Sequence, residues 1–190
     1  HIVGSGIDST IIHQTNNAAV FRTVDSNSTS GNYSAFGSHQ YTNTRARYIL
    51  LSNMTLSMDT TSPIFYLDNA DSCSVDKIRF VGSYQNVAQY NIIATTPNYS
   101  QNAVYIRGTS SAFCSTNVIF NSCIFNGTGN GIYSDTDSNN IAFDNCVFYG
   151  LYDAINIGGG NDGVVNTKIT NCFFDQIVRY GLRIKMGYGN

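Results

Sequence analysis

The 190 residues carry only 12% charged side chains against 42% apolar and 13% aromatic ones, enough for a core and too little charge for a disordered chain. All twelve acidic residues are aspartate, and with 17 glycines and abundant Asn, Ser and Thr the favoured helix formers are scarce, which excludes a helical bundle. The net charge of −2 comes without any Lys/Arg cluster, so nucleic acid has no electrostatic footprint, and no apolar run approaches the roughly 20 residues of a membrane helix.

In chain order, the first element is the alternating stretch from Ile2 to Ile12, followed by a Ser-, Asn- and Tyr-rich insertion at 18–47. Ile49, Leu51, Asn53, Met54 and Leu56 then predict two short strands about a break. Phe65-Tyr66-Leu67 is a further strand, and Ile78, Phe80, Gly82 and Ser83 are a weak copy of the broken pair. A second insertion occupies 85–102. Beyond it the pattern becomes regular: Ala103-Val104-Tyr105-Ile106, then Asn117 to Phe125, Gly131-Ile132-Tyr133-Ser134, Asn140 to Phe148, Ala154-Ile155-Asn156-Ile157, Asn166 to Phe174, and Gly181-Leu182-Arg183-Ile184. The chain opens on His1 without a signal peptide, and both ends lie in strand-like sequence, which reads as part of a longer chain with no membrane insertion.

The regular part is a repeat. Cys123, Cys146 and Cys172 are 23 and 26 residues apart, each preceded by Asn or Ser and followed by a Phe two residues on. Within a copy, apolar residues alternate with period two, slip by one at the Asn/Ser, and resume, as expected of two strands joined by a bend in the left-handed backbone region. A unit this small cannot bury its own face, so copies must stack through parallel ladders. The predicted fold is all-β, a right-handed parallel β-helix of about six coils with three short strands each, in one domain spanning 1–190. Met54, Ser83, Cys123, Cys146 and Cys172 are expected in one inward column, as buried thiols rather than disulfides or metal ligands. Asn53, Ser122, Asn145 and Asn171 are expected as a polar ladder at the bends.

If Val104, Ile132, Ile155 and Leu182 point inward, their neighbours point out. One outward column then reads Tyr66, Tyr105, Tyr133, Asn156, Arg183 and the next Asp68, Arg107, Asp135, Gly158, Lys185. Tyrosines interleaved with polar and basic groups suit a sugar chain, whose apolar ring faces rest on aromatics; the same column also suits cross-strand packing on a solvated sheet. Asp68 and Asp135 fall two coils apart, roughly 9.6 Å by the strand spacing. This is near the upper end of the separation of about 6.5 to 9.5 Å between the carboxyls of inverting glycosidases. Asp153 is the third candidate carboxylate. The run Asp135-Thr136-Asp137-Ser138-Asn139 opens like a calcium loop but has Asn140 and Cys146 where Gly and Glu are needed, so neither a metal nor a cofactor is expected. His13 and His39 have no partner at a recognisable spacing and read as ordinary polar residues.

The opening Gly4-Ser5-Gly6-Ile7-Asp8-Ser9-Thr10-Ile11-Ile12 and the Gly-Ile repeats resemble the pectate-lyase-like β-helices found in bacteriophage tailspikes and tail fibres. Asp153 to Gly160, then Asn171-Cys172, then Tyr180-Gly181-Leu182-Arg183-Ile184-Lys185 is similar in order to polygalacturonases, whose Arg-Ile-Lys motif grips a substrate carboxylate. Here Asp153 replaces the family's His, and Asn102 and Asn130 replace its acidic pairs. The resemblance implies a bacterial surface polysaccharide as partner, bound and depolymerised on the Tyr66-Tyr105-Tyr133 face with Arg183 and Lys185 on an acidic sugar. It also implies a homotrimer in the full-length protein, made in the host cytoplasm and carried in the virion tail. The alternatives are a non-catalytic fibre or adhesin segment and a polysaccharide lyase, for which only Arg183 or Lys185 could serve as base.

Overall fold

A computed structural model describes residues 1–16, 18–23, 46–60, 62–68, 70–82, 101–107, 115–134, 138–158 and 164–184. Alternating apolar residues with Asn, Ser or Gly at the bends produce six successive coils. The first holds β1 (Ile2–Val3), β2 (Ile11–Gln14) and β3 (Phe21–Arg22), the second β4 (Ala46–Met58) and β5 (Phe65–Asp68), the third β6 (Ala70–Gly82) and β7 (Asn102–Arg107). The fourth holds β8 (Ser115–Asn121), β9 (Ile124–Asn126) and β10 (Asn130–Ser134), the fifth β11 (Ser138–Asp144), β12 (Val147–Tyr149) and β13 (Asp153–Ile157). The sixth is β14 (Val164–Val165), β15 (Lys168–Thr170), β16 (Phe173–Asp175) and β17 (Tyr180–Ile184). Two all-parallel sheets result: a six-stranded one in the order β17-β13-β10-β7-β5-β3 and a larger, bent one built from the remaining strands. This is a parallel β-helix.

From the second coil onward, the coils turn at columns of left-handed residues rather than at isolated kinks. Asn53, Lys77, Ser122, Asn145 and Asn171 form one column, and Tyr48, Ser72, Asn117, Asn140 and Asn166 a second, all with φ between 51° and 58°. A third column, Gly127, Gly150 and Gln176, closes the larger sheet in the last three coils. Asn is the side chain that tolerates this region best, which explains its abundance in the repeat. The polar ladder expected at the first column is partial: Asn145 Nδ2 donates to Ser122 Oγ at 3.2 Å, but Asn171 turns to Asp144 Oδ1. The second column is the continuous one, with Asn166 donating to Asn140 at 3.0 Å and Asn140 to Asn117 at 3.1 Å.

One register differs from expectation. Met54 pairs with Ile78, so Ile78 and not Ser83 stands in the column of Cys123, Cys146 and Cys172. Lys77 occupies the bend where the repeat has Asn or Ser, and that substitution hid the correct alignment. Ser83 lies outside the described residues. So do the second insertion up to residue 100 and 24–45 of the first; Phe21–Arg22, within the first insertion as expected, is instead strand β3, paired with β5.

The interior is organised by stacked rings. Phe80, Phe125, Phe148 and Phe174 stack across four coils at centroid distances of 5.0, 4.6 and 4.9 Å and interplanar angles of 5–7°. Phe120 and Phe143 make a neighbouring stack at 5.2 Å. Beside them Cys123 and Cys146 are fully buried, and the thiols donate weakly to backbone carbonyls, Cys146 to Phe120 at 3.5 Å and Cys172 to Thr170 at 3.2 Å. The four described cysteines are free. Burial pushes the Cys73 thiol up to about 12 and raises Cys123, as befits thiols that pack as small apolar groups.

Candidate functional site

The six-stranded sheet carries the column that the alternation predicts, but Tyr66 and Asn156 within it are buried. Its parallel register sets Arg22, Tyr66, Tyr105, Tyr133, Asn156 and Arg183 side by side in successive coils. Val104, Ile132 and Ile155 alternate with them on the inner face and are fully buried; Leu182, in the terminal coil, is 48% exposed.

The tyrosines divide into two environments. Tyr66 is 9% exposed: the Arg22 guanidinium lies 4.4 Å above its ring, and Arg107 Nη1 donates to its hydroxyl at 3.3 Å. Burial raises the Tyr66 phenol above its ordinary range, against the opposing pull of the Arg107 hydrogen bond. Tyr105 and Tyr133 are half-buried, with ring centroids 5.7 Å apart and a 37° tilt, and Tyr105 meets Tyr66 at 4.9 Å and 58°. The accessible aromatic platform is therefore Tyr105 with Tyr133, and Tyr66 is its packed end.

Charge is arranged at both ends. Asp68 pairs in register with Arg107 and lies 3.7 Å from Arg22, while Thr23 Oγ1 accepts from the Asp68 backbone N–H at 2.7 Å and fixes the strand end. Both Asp68 and Arg107 are buried. At the opposite end Asp153 is fully buried and receives both Arg179 Nε, at 2.8 Å to Oδ1, and Arg179 Nη2 on Oδ2, which also accepts from Asn156 Nδ2. That bidentate bond raises the Arg179 guanidinium, which stacks over Tyr152 at 4.4 Å and Tyr180 at 4.9 Å. Arg183 sits 5.3 Å from the Tyr180 ring, and among the described residues no carboxylate pairs with it.

Of the sequence-derived site residues, then, Tyr66, Tyr105, Arg107 and Asp68 meet at one end, Asn156 and Asp153 at the other, and Tyr133 lies between. Asp135 and Lys185 lie outside the described residues. Arg22 and Arg179 escaped sequence reasoning. Arg22 stands in a stretch without a repeat signature, and the alternation of Phe21 with Arg22 was the one signal available; Arg179 precedes a strand and acts across coils. Asn102 and Asn130 bond to each other at 2.8 Å, so the row that ends on Asp153 is a buried polar seam along the strand starts. No group of three or more His, Cys or Asp able to hold a metal occurs among the described residues.

Fold and face together define the class: a parallel β-helix with an outward aromatic and arginine stripe. No protein-family model matches the chain, and no curated protein matches it.

Proposed function

We propose that the chain is a β-helical segment of a phage tailspike or tail fibre that binds a bacterial surface polysaccharide along the Tyr105–Tyr133 face. The observation that carries this reading is the pair of half-exposed rings 5.7 Å apart, continued in register by Asn156 and Arg183. Such rings support the apolar faces of consecutive sugars, and the Arg183 guanidinium beyond them suits hydroxyls and carboxylates, while Asn156 between them is buried on Asp153. Arg183, with no carboxylate partner among the described residues, is the group assigned to an acidic sugar, with Lys185 beside it. A homotrimeric assembly in the virion tail belongs to the same proposal.

Binding is better supported than cleavage. A general acid must bring a proton to the leaving oxygen. Asp153 is fully buried and accepts on both oxygens, and Asp68 is buried beside Arg22 and Arg107. Depolymerisation would fall to Asp68 with Asp135. Incubation with a panel of capsular and O-antigen polysaccharides, read by calorimetry and by a reducing-end assay, tests both parts. The expected result is binding of an acidic glycan without new reducing ends, weakened at least tenfold by Tyr105→Ala with Tyr133→Ala. Equal affinity of that double variant would remove the platform from the reading.

The second reading, a structural fibre segment, is favoured by the self-packing of Tyr66 under Arg22. It requires Tyr105 and Tyr133 to be covered by a sister chain, which solvent accessibility in the intact assembly decides.

A further inference from the structure

His13 was unremarkable in the sequence because its partners are 44 and 46 residues away. On the larger sheet, β2 runs parallel to β4 with His13 opposite Ser57, and Asp59 follows Ser57 by two residues. His13 Nδ1 is 2.6 Å from Ser57 Oγ and Nε2 is 3.1 Å from Asp59 Oδ2. An ionised carboxylate only accepts, so Nε2 carries the ring hydrogen and Nδ1 is left to accept from the Ser57 hydroxyl. The tautomer selected by Asp59 is the one that makes His13 a base toward serine.

The support is built from three coils. The Gln101 amide donates to the carbonyls of Met58 and Thr60 at 3.1 and 2.5 Å, clamping the turn that carries Asp59. Thr60 Oγ1 donates to Asn16 O at 3.4 Å, tying the same turn to the chain just beyond β2. The side chains of His13 and Asp59 are 42% and 65% exposed, so the group opens directly to solvent. Nucleophile, base and orienting carboxylate within hydrogen-bond reach are the geometric signature of an activated serine.

We propose that Ser57, His13 and Asp59 form a second site, independent of the tyrosine face, that cleaves carboxylic esters. As Ser57 Oγ bonds to the acyl carbon, its proton passes to His13 Nδ1. The carbon–oxygen bond to the alcohol breaks, and the alcohol leaves with that proton. Water then gives a proton to His13 and attacks the acyl carbon, and Ser57 recovers its proton as the acid departs. The net reaction is ester plus water to carboxylic acid plus alcohol. Asp59 remains a carboxylate throughout and acts as a positioning residue.

The test uses the whole chain with a fluorophosphonate reagent, which bonds to an activated serine with loss of fluoride, and with p-nitrophenyl acetate. Peptide mass spectrometry is expected to place the adduct on Ser57, with none at that position in Ser57→Ala. His13→Ala is expected to slow both reactions by about 10²-fold, the lower bound for loss of a general base. Asp59→Ala should slow labelling at least tenfold and Asp59→Glu restore it to within a few-fold, a rescue that a merely structural role would not give. Circular dichroism of each variant separates loss of fold from loss of chemistry. Wild-type protein left unlabelled beside a reactive serine-hydrolase control, or His13→Ala labelled at the wild-type rate, would overturn the assignment.

Discussion

Two aromatic stacks run along the same solenoid with the same coil repeat, and they behave differently. Inside, Phe80, Phe125, Phe148 and Phe174 lie within 7° of coplanarity. Outside, Tyr66, Tyr105 and Tyr133 tilt by 58° and 37° at centroid distances only slightly longer on average. Register brings both sets together, so register alone does not set ring geometry. Phe80, Phe125 and Phe148 are fully buried, confined by neighbours into one packing solution that Phe174, 36% exposed in the terminal coil, continues. The tyrosines have hydroxyls and an open side, and Arg22 and Arg107 draw the Tyr66 end of the row into a polar cluster. Interior repetition builds stability, and exterior repetition builds a graded surface, packed at one end and accessible in the middle.

The largest test of that contrast is Phe125→Ala. It removes the ring between Phe80 and Phe148 and is expected to cost about 3–5 kcal/mol in a denaturant titration, as buried aromatic truncations do. A loss under 1 kcal/mol would mean that the coils do not depend on the stack. A smaller effect sharpens the line between inside and outside. The Cys73 thiol ionises near 9.0 when unfolded and is held protonated to about 12 in the fold. Its contribution is therefore constant below pH 9 and is lost as pH rises through that window, by about 1.4 kcal/mol per pH unit. Comparison of unfolding midpoints at pH 8 and pH 10 checks it, and Cys73→Ala should flatten that part of the profile. The smallest expected change is Tyr105→Ala, about 0.5–1.5 kcal/mol in stability for the lost ring contacts. If thermal denaturation showed Tyr105→Ala to be as damaging as Phe125→Ala, the outer row would belong to the core rather than to a binding face.

Much of the architecture was legible because a solenoid repeats its chemistry in one dimension. The spacing of Cys123, Cys146 and Cys172 predicts an inward column, and the structure has it. The alternation around Ile132 leaves Tyr133 partly exposed on the outer face, as expected, whereas Asn156, expected outward beside Ile155, is buried with its Nδ2 donating to Asp153. The failure at Ser83 is equally informative. Lys77 adopts φ of 51° at a bend where Asn or Ser marks the other copies, so a rule based on residue type missed a position that the ladder imposes. Arg22 above Tyr66 and Arg179 on Asp153 were missed because they act between coils, and the alternation of Phe21 with Arg22 was the one hint of either.

The sequence by itself determined the class of fold: period-two burial, left-handed Asn at the bends and copies too small to bury their own faces leave stacking as the physical solution. Only the tertiary structure decided which polar groups meet. Register converts separations of dozens of residues into neighbours about 5 Å apart. Thus Asp153 becomes a buried partner of Arg179, Tyr66 the covered end of the stripe, and His13 the neighbour of Ser57 and Asp59.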